Sequence, residues 1–301
     1  MEYNKNVGAG RKFVEGIALS FEIMVLFIML QVMITVAVVL GLISAYAVNK
    51  GGEYDYYGAM LFASDVLSKD NFMVMLTVVA TAVSAVFSVS IYWAVWGRKK
   101  SWRDKQYLKE KVLRAKPVVM ICIASVGLYY LAILIAAAIA VVSPDTMEEY
   151  NEMMESALGG NQVLAMLAAV LLAPVNEECI MRGLILKNLQ RFFSTPVVII
   201  IQAVLFGIFH GNWVQGLYVI PVGAALGYVA IKSRSVIPCI GMHLFYNFLS
   251  FIVGFLPEFC QTGFFAIAAV IVSAVAVWLM GRQGGNAAEN ILAVEKTDRS
   301  V

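Results

Sequence analysis

The chain has 301 residues, of which 61% are hydrophobic and only 14% charged, and its mean hydropathy is +0.80. Soluble domains carry about 25% charged residues, so these values exclude an ordinary soluble protein and define a polytopic membrane protein. The formal net charge of +2 says little by itself, and nothing in the chain points to nucleic acid.

A helix needs roughly 20 predominantly apolar residues to cross a bilayer. Eight segments qualify in chain order: about Leu19–Val48, Phe72–Trp96, Pro117–Val142, Val163–Leu186, Pro196–His210, Trp213–Ile231, Val236–Leu256 and Phe264–Met280. The fifth is short and merges into the sixth. Alternate connections are basic. Lys5, Arg11 and Lys12 precede the first span, nine Lys and Arg residues lie between Arg98 and Lys116, and Lys187, Arg191, Lys232, Arg234 and Arg282 follow later spans. The remaining connections are acidic or nearly uncharged, with Glu53, Asp55, Asp65, Asp145, Glu148, Glu149, Glu152, Glu155 and Glu258.

The positive-inside rule then places both termini in the cytoplasm, in agreement with an even number of spans. The expected fold class is all-α: a polytopic membrane helical bundle of about eight transmembrane helices in the cell membrane. Within one integral membrane domain, residues 1–160 supply three spans and the basic loop. Residues 161–257 hold the polar core helices, and residues 258–301 the last span and a polar, mobile tail. The four cysteines Cys122, Cys179, Cys239 and Cys260 lie in or beside apolar segments without metal-type spacing, which marks them as small buried hydrophobes.

A charged side chain at the bilayer centre costs about 3 kcal/mol on insertion scales. The fourth span nevertheless contains Asn176-Glu177-Glu178-Cys179-Ile180-Met181-Arg182, and the only two histidines, His210 and His243, fall in the fifth and seventh. Pro174 should kink the fourth span. Glu178 and Arg182 are four apart and can pair on one helical face, leaving Glu177 about 100° away as a candidate general base. His243 and Asn247 are likewise four apart. Taken alone, each feature has a plain structural reading: a Glu178–Arg182 clip, an interfacial His210, interhelical hydrogen bonds from His243 and Asn247, and an Arg182 that snorkels toward Lys187. Together they are the parts of a hydrolytic site.

The order Glu177-Glu178-x-x-x-Arg182, Phe206-x-x-x-His210 and His243-x-x-x-Asn247 resembles the CPBP family, also called Abi, which comprises CAAX prenyl-protein endoproteases and bacteriocin-processing enzymes. The resemblance covers roughly Val163 to Leu256. It implies an intramembrane endopeptidase in which Glu177 and His210 activate a water, while His243 and Asn247 stabilise the oxyanion or hold a metal. Glu178 and Arg182 would support them. The family is described both as metalloproteases and as glutamate-type enzymes. Two histidines and a glutamate suffice for a three-ligand zinc site with an open position, so Glu177, His210 and His243 are the candidate Zn2+ ligands beside a metal-free alternative. The implied partners are the lipid bilayer and a peptide or protein substrate: a lipidated CAAX protein, a pheromone or a bacteriocin leader. Two other classes compete. One is a non-catalytic immunity or scaffold protein of the same fold, although no motif residue is lost. The other is a proton-coupled transporter, although the first three spans offer few polar groups.

Helical rise puts Glu177 roughly 15 Å beyond Lys187 and His243 roughly 14 Å beyond Arg234, but His210 roughly 21 Å beyond Pro196. The sequence therefore predicts a tilted or irregular fifth helix to bring the three to one depth.

Overall fold

The computed structural model describes residues 8–50, 55–96 and 114–298. Among them there is no β-strand, and ten helices account for most of the described residues. They are α1 Ala9–Asn49, α2 Tyr56–Leu67, α3 Asp70–Trp96, α4 Ala115–Val142, α5 Pro144–Leu158, α6 Gln162–Leu189, α7 Thr195–Phe209, α8 Trp213–Ser233, α9 Ile237–Ile252 and α10 Gly263–Asp298. Lipid cannot satisfy a bare backbone N–H or C=O, which is why apolar segments of this length close their hydrogen bonds internally as helices. The basic loop read from the sequence lies mostly outside the described residues.

Among the described residues, seven helices are long and apolar enough to cross a membrane. The eighth segment expected, α7, has only 15 residues, about 22 Å of helix against a hydrocarbon core of about 30 Å. It forms a hairpin with α8 through residues 210–212. The expected break is not found within α7. The helix is regular from Thr195 to Phe209 and stops at His210, where Gly211 takes a φ of 72°, a conformation glycine reaches without a Cβ clash. The depth mismatch came from treating Lys187 as a marker of the headgroups. Lys187 is buried, with its ammonium 4.4 Å from the Tyr92 ring and 4.8 Å from the Trp96 ring. Counted from the 190–194 turn that α6 and α7 share, Glu177 lies roughly 18 Å up one helix and His210 roughly 22 Å up the other. A side chain spans that difference.

Polar contacts between small residues hold the bundle together, as expected where lipid removes the hydrophobic drive for helix association. Asn188 on α6 donates to the Gly16 carbonyl and to Ser20 Oγ of α1, both at 3.0 Å. Ser125 on α4 donates to the Met242 carbonyl of α9 at 2.9 Å, and Ser273 on α10 to the Ala124 carbonyl of α4 at 2.7 Å. Helices α7 and α8 meet backbone to backbone: a Cβ on Gly207 would lie 2.7 Å from the Gly216 carbonyl oxygen. The tail expected from Gly281 onward is instead a continuation of α10 as far as Asp298. Residues 144–158, an acidic connection in the sequence, form the amphipathic helix α5.

Candidate active site

The irregular helix of the bundle is α6. Its backbone switches to i→i+5 hydrogen bonding over Leu167–Leu172 and again over Cys179–Ile185, with one ordinary α stretch, Ala173–Glu178, between them. Pro174 explains the first switch. In that register the Ala173 N–H bonds to the Ala168 carbonyl, so the Ala169 carbonyl should take the N–H of residue 174, which proline lacks. The orphaned oxygen is claimed by Asn247 of α9, whose Nδ2 donates to it at 2.7 Å. Asn247, expected as an oxyanion donor, thus commits one amide hydrogen to the broken turn and keeps the other. Such π-type turns recur at functional sites, and both glutamates sit between these two.

Glu178 is fully buried and ionically tied. Its Oε1 accepts from Arg182 Nη1 at 2.8 Å and from His243 Nδ1 at 2.9 Å. Arg182, also fully buried, donates through Nη2 to the Gly223 carbonyl at 3.1 Å and stacks over Phe206 at 4.5 Å. Gln202 donates to the same carbonyl at 2.8 Å. Arg182 therefore does not snorkel. Its planar fork meets a carboxylate, a carbonyl and a ring, the arrangement that makes a buried guanidinium tolerable. The clip foreseen as the plain structural reading exists, and it also carries a histidine.

Glu177 points the other way, as the 100° offset requires. Its Oε2 lies 3.9 Å from His210 Nε2 and 3.8 Å from His243 Nε2, beyond hydrogen-bond reach, and has no hydrogen-bond partner. The tautomers follow from the other ring nitrogens. His210 Nδ1 faces the Phe206 carbonyl at 2.8 Å, which can only accept, so Nδ1 carries the hydrogen. His243 Nδ1 faces the ion-paired Glu178 and must also donate. In the neutral rings both Nε2 atoms then present lone pairs toward Glu177. Three acceptors converge with no donor between them.

Such a set suits a water that donates to two of its members, or a cation. The chemistry of the donors fits zinc: Glu177, His210 and His243, whose tips face one another at 3.8 and 3.9 Å, would hold it beside an open position, where it would polarise a water.

The convergence point forms the floor of a cavity of about 460 Å³. Its walls include Tyr129, Tyr150, Tyr218, Tyr246 and Gln215, none of which the sequence reading selected. The hydroxyls of Tyr150 on α5 and Tyr218 on α8 are 2.8 Å apart. A signal for Tyr150 was present: Tyr150, Met154, Ala157 and Leu158 fall at i, i+4, i+7 and i+8 between exposed carboxylates, the period of a helix with one apolar face.

The fold and site define a polytopic helical membrane protein that keeps an ionisable cluster inside its bundle. Residues 159–249 match the family model described as Rce1-like, type II CAAX prenyl endopeptidase Rce1-like. The match spans α6, α7, α8 and most of α9, the helices that carry every residue of the cluster, and supports an intramembrane endopeptidase in general. No curated protein and no solved structure matches the chain.

Proposed function

We propose that the protein is an intramembrane endopeptidase of the cell membrane that hydrolyses a membrane-associated peptide with a glutamate-activated water. The convergence of Glu177 Oε2 with the Nε2 lone pairs of His210 and His243 at a cavity floor carries this reading. A water in the 3.9 Å gap donates one hydrogen to Glu177 and the other to His210, which turns its oxygen lone pair toward the cavity. As that oxygen attacks the peptide carbonyl, Glu177 takes the proton and later passes it to the leaving amine. His243 takes a proton from solvent through the cavity before the attack; with Nδ1–H held by the Glu178 carboxylate, it donates Nε2–H to the oxyanion and keeps that proton when the carbonyl re-forms. The free amide hydrogen of Asn247 is a second donor for the same oxygen. Arg182 holds the Glu178 carboxylate in place through the 2.8 Å ion pair.

Purified protein is tested against a quenched membrane-peptide library, with Glu177→Gln and His210→Ala variants and with chelator. Cleavage that falls about 10²–10⁴-fold in folded Glu177→Gln protein supports the mechanism. Cleavage that persists in that variant refutes it, and chelator-sensitive cleavage would replace the free water with a metal-bound one. Dry packing beneath the site, where Arg182, Ile185, Leu186 and Leu189 are sealed, disfavours a transport path.

A further inference from the structure

The cavity has a direction. Each helix that lines it does so with the half that leads to one face of the bundle, here named the α5 face. Ala136 lies near the end of α4, Ala169 near the start of α6, Tyr218 near the start of α8, and Phe251 at the end of α9. Helix α5 lies across this mouth, its Tyr150 and Met154 toward the cavity and its five carboxylates (Asp145, Glu148, Glu149, Glu152 and Glu155) toward solvent. Toward the opposite face, which carries Arg191 and Lys232, the site is closed by the sealed core of α6.

The charge of the two faces differs sharply. Of the twenty-two Lys and Arg residues, only Lys50 and Lys69 belong to connections on the α5 face, and α5 itself has none. The basic residues cluster on the opposite face, including those of the α3–α4 connection by sequence. Trp213, Phe255, Phe259 and Phe264 are exposed at the α5 face, as aromatic side chains are where a membrane meets water. The mouth thus joins an acidic collar to an apolar surface. Behind it stand two imidazole Nε2 atoms without hydrogen-bond partners, on side chains at least nine-tenths buried.

We propose that the substrate reaches Glu177 from the α5 face, that this face is exoplasmic, and that the substrate is a membrane-apposed peptide whose apolar segment is flanked by basic residues. This deepens the endopeptidase reading and rests on it for the meaning of the cavity floor. The positive-inside rule assigns the Arg191 face to the cytoplasm, and the collar of unpaired carboxylates raises the local concentration of cationic ligands.

Two readouts test it, and neither needs turnover. In intact cells an impermeant thiol reagent should label Glu152→Cys protein, whereas Arg191→Cys protein should label only after lysis, each over the background of the wild-type chain. In detergent, a fluorescent peptide with an apolar stretch flanked by three lysines should bind Glu177→Gln protein at least about tenfold more tightly than one flanked by three glutamates. Salt should erode that preference, and the triple variant Glu148→Gln, Glu149→Gln, Glu152→Gln should largely abolish it. The reverse labelling pattern overturns the sidedness, and equal affinity for the two peptides overturns the substrate class. A protein that labels and binds as stated but cleaves nothing keeps the sidedness and the class of ligand and removes the endopeptidase reading.

Discussion

Replacing Arg182 with methionine keeps an apolar stem and removes the guanidinium with its charge. The loss can be worked from the contacts. Arg182 gives Glu178 a hydrogen bond of 2.8 Å, gives Gly223 one of 3.1 Å, and lies 4.5 Å over Phe206. Glu178 is left fully buried, with Oε2 unbonded and only His243 as donor. Breaking one side of a buried ion pair costs about 3–5 kcal/mol. Arg182→Met should therefore destabilise the protein by about that amount, read by circular dichroism during unfolding of the micellar protein in sodium dodecyl sulfate. The double variant Glu178→Gln, Arg182→Met removes both charges, and the carboxamide oxygen it leaves in place of the carboxylate still accepts from His243. It should recover most of the loss, giving a coupling of at least about 2 kcal/mol in the double-mutant cycle. A single variant within about 1 kcal/mol of wild type, or a double variant no better than the single, would refute the view that Arg182 is there to hold a buried carboxylate.

Three further perturbations probe the parts around that pair. Asn247→Leu leaves the Ala169 carbonyl without a donor and should cost about 1–3 kcal/mol in the same unfolding assay; an unchanged stability would mean that the break at Pro174 needs no cap. Gly207→Ala puts a Cβ 2.7 Å from the Gly216 carbonyl, and forcing α7 from α8 should cost about 1–3 kcal/mol and depress peptide cleavage by shifting His210. Tyr150→Phe and Tyr218→Phe each remove the hydroxyl contact between α5 and α8 and should each cost about 0.5–1.5 kcal/mol. The double variant should be no worse than either single, and additive losses would show that the hydroxyls act separately.

Apolar length, charge alternation and the offset of Glu177 from the Glu178–Arg182 pair are local properties, so the membrane class, the helical bundle and the polar cluster were readable from the chain. Helical spacing alone required that Glu178 and Arg182 share a face and that Glu177 leave it, and they do. Depth was not readable. Lys187 looks like a headgroup anchor in sequence, yet two aromatic rings from α3 bury it, because a cation can trade water for π faces that only the fold supplies. Helix α7 counted as a span on hydropathy, although it has only 15 residues and ends at His210, where Gly211 takes a φ of 72°. The role of Asn247 depended on a carbonyl orphaned by a proline three helices earlier in the chain, and the four tyrosines of the cavity come from four helices. Side-chain periodicity tells which residues face inward. Which inward-facing residues meet, and at what height, is settled by packing between distant helices.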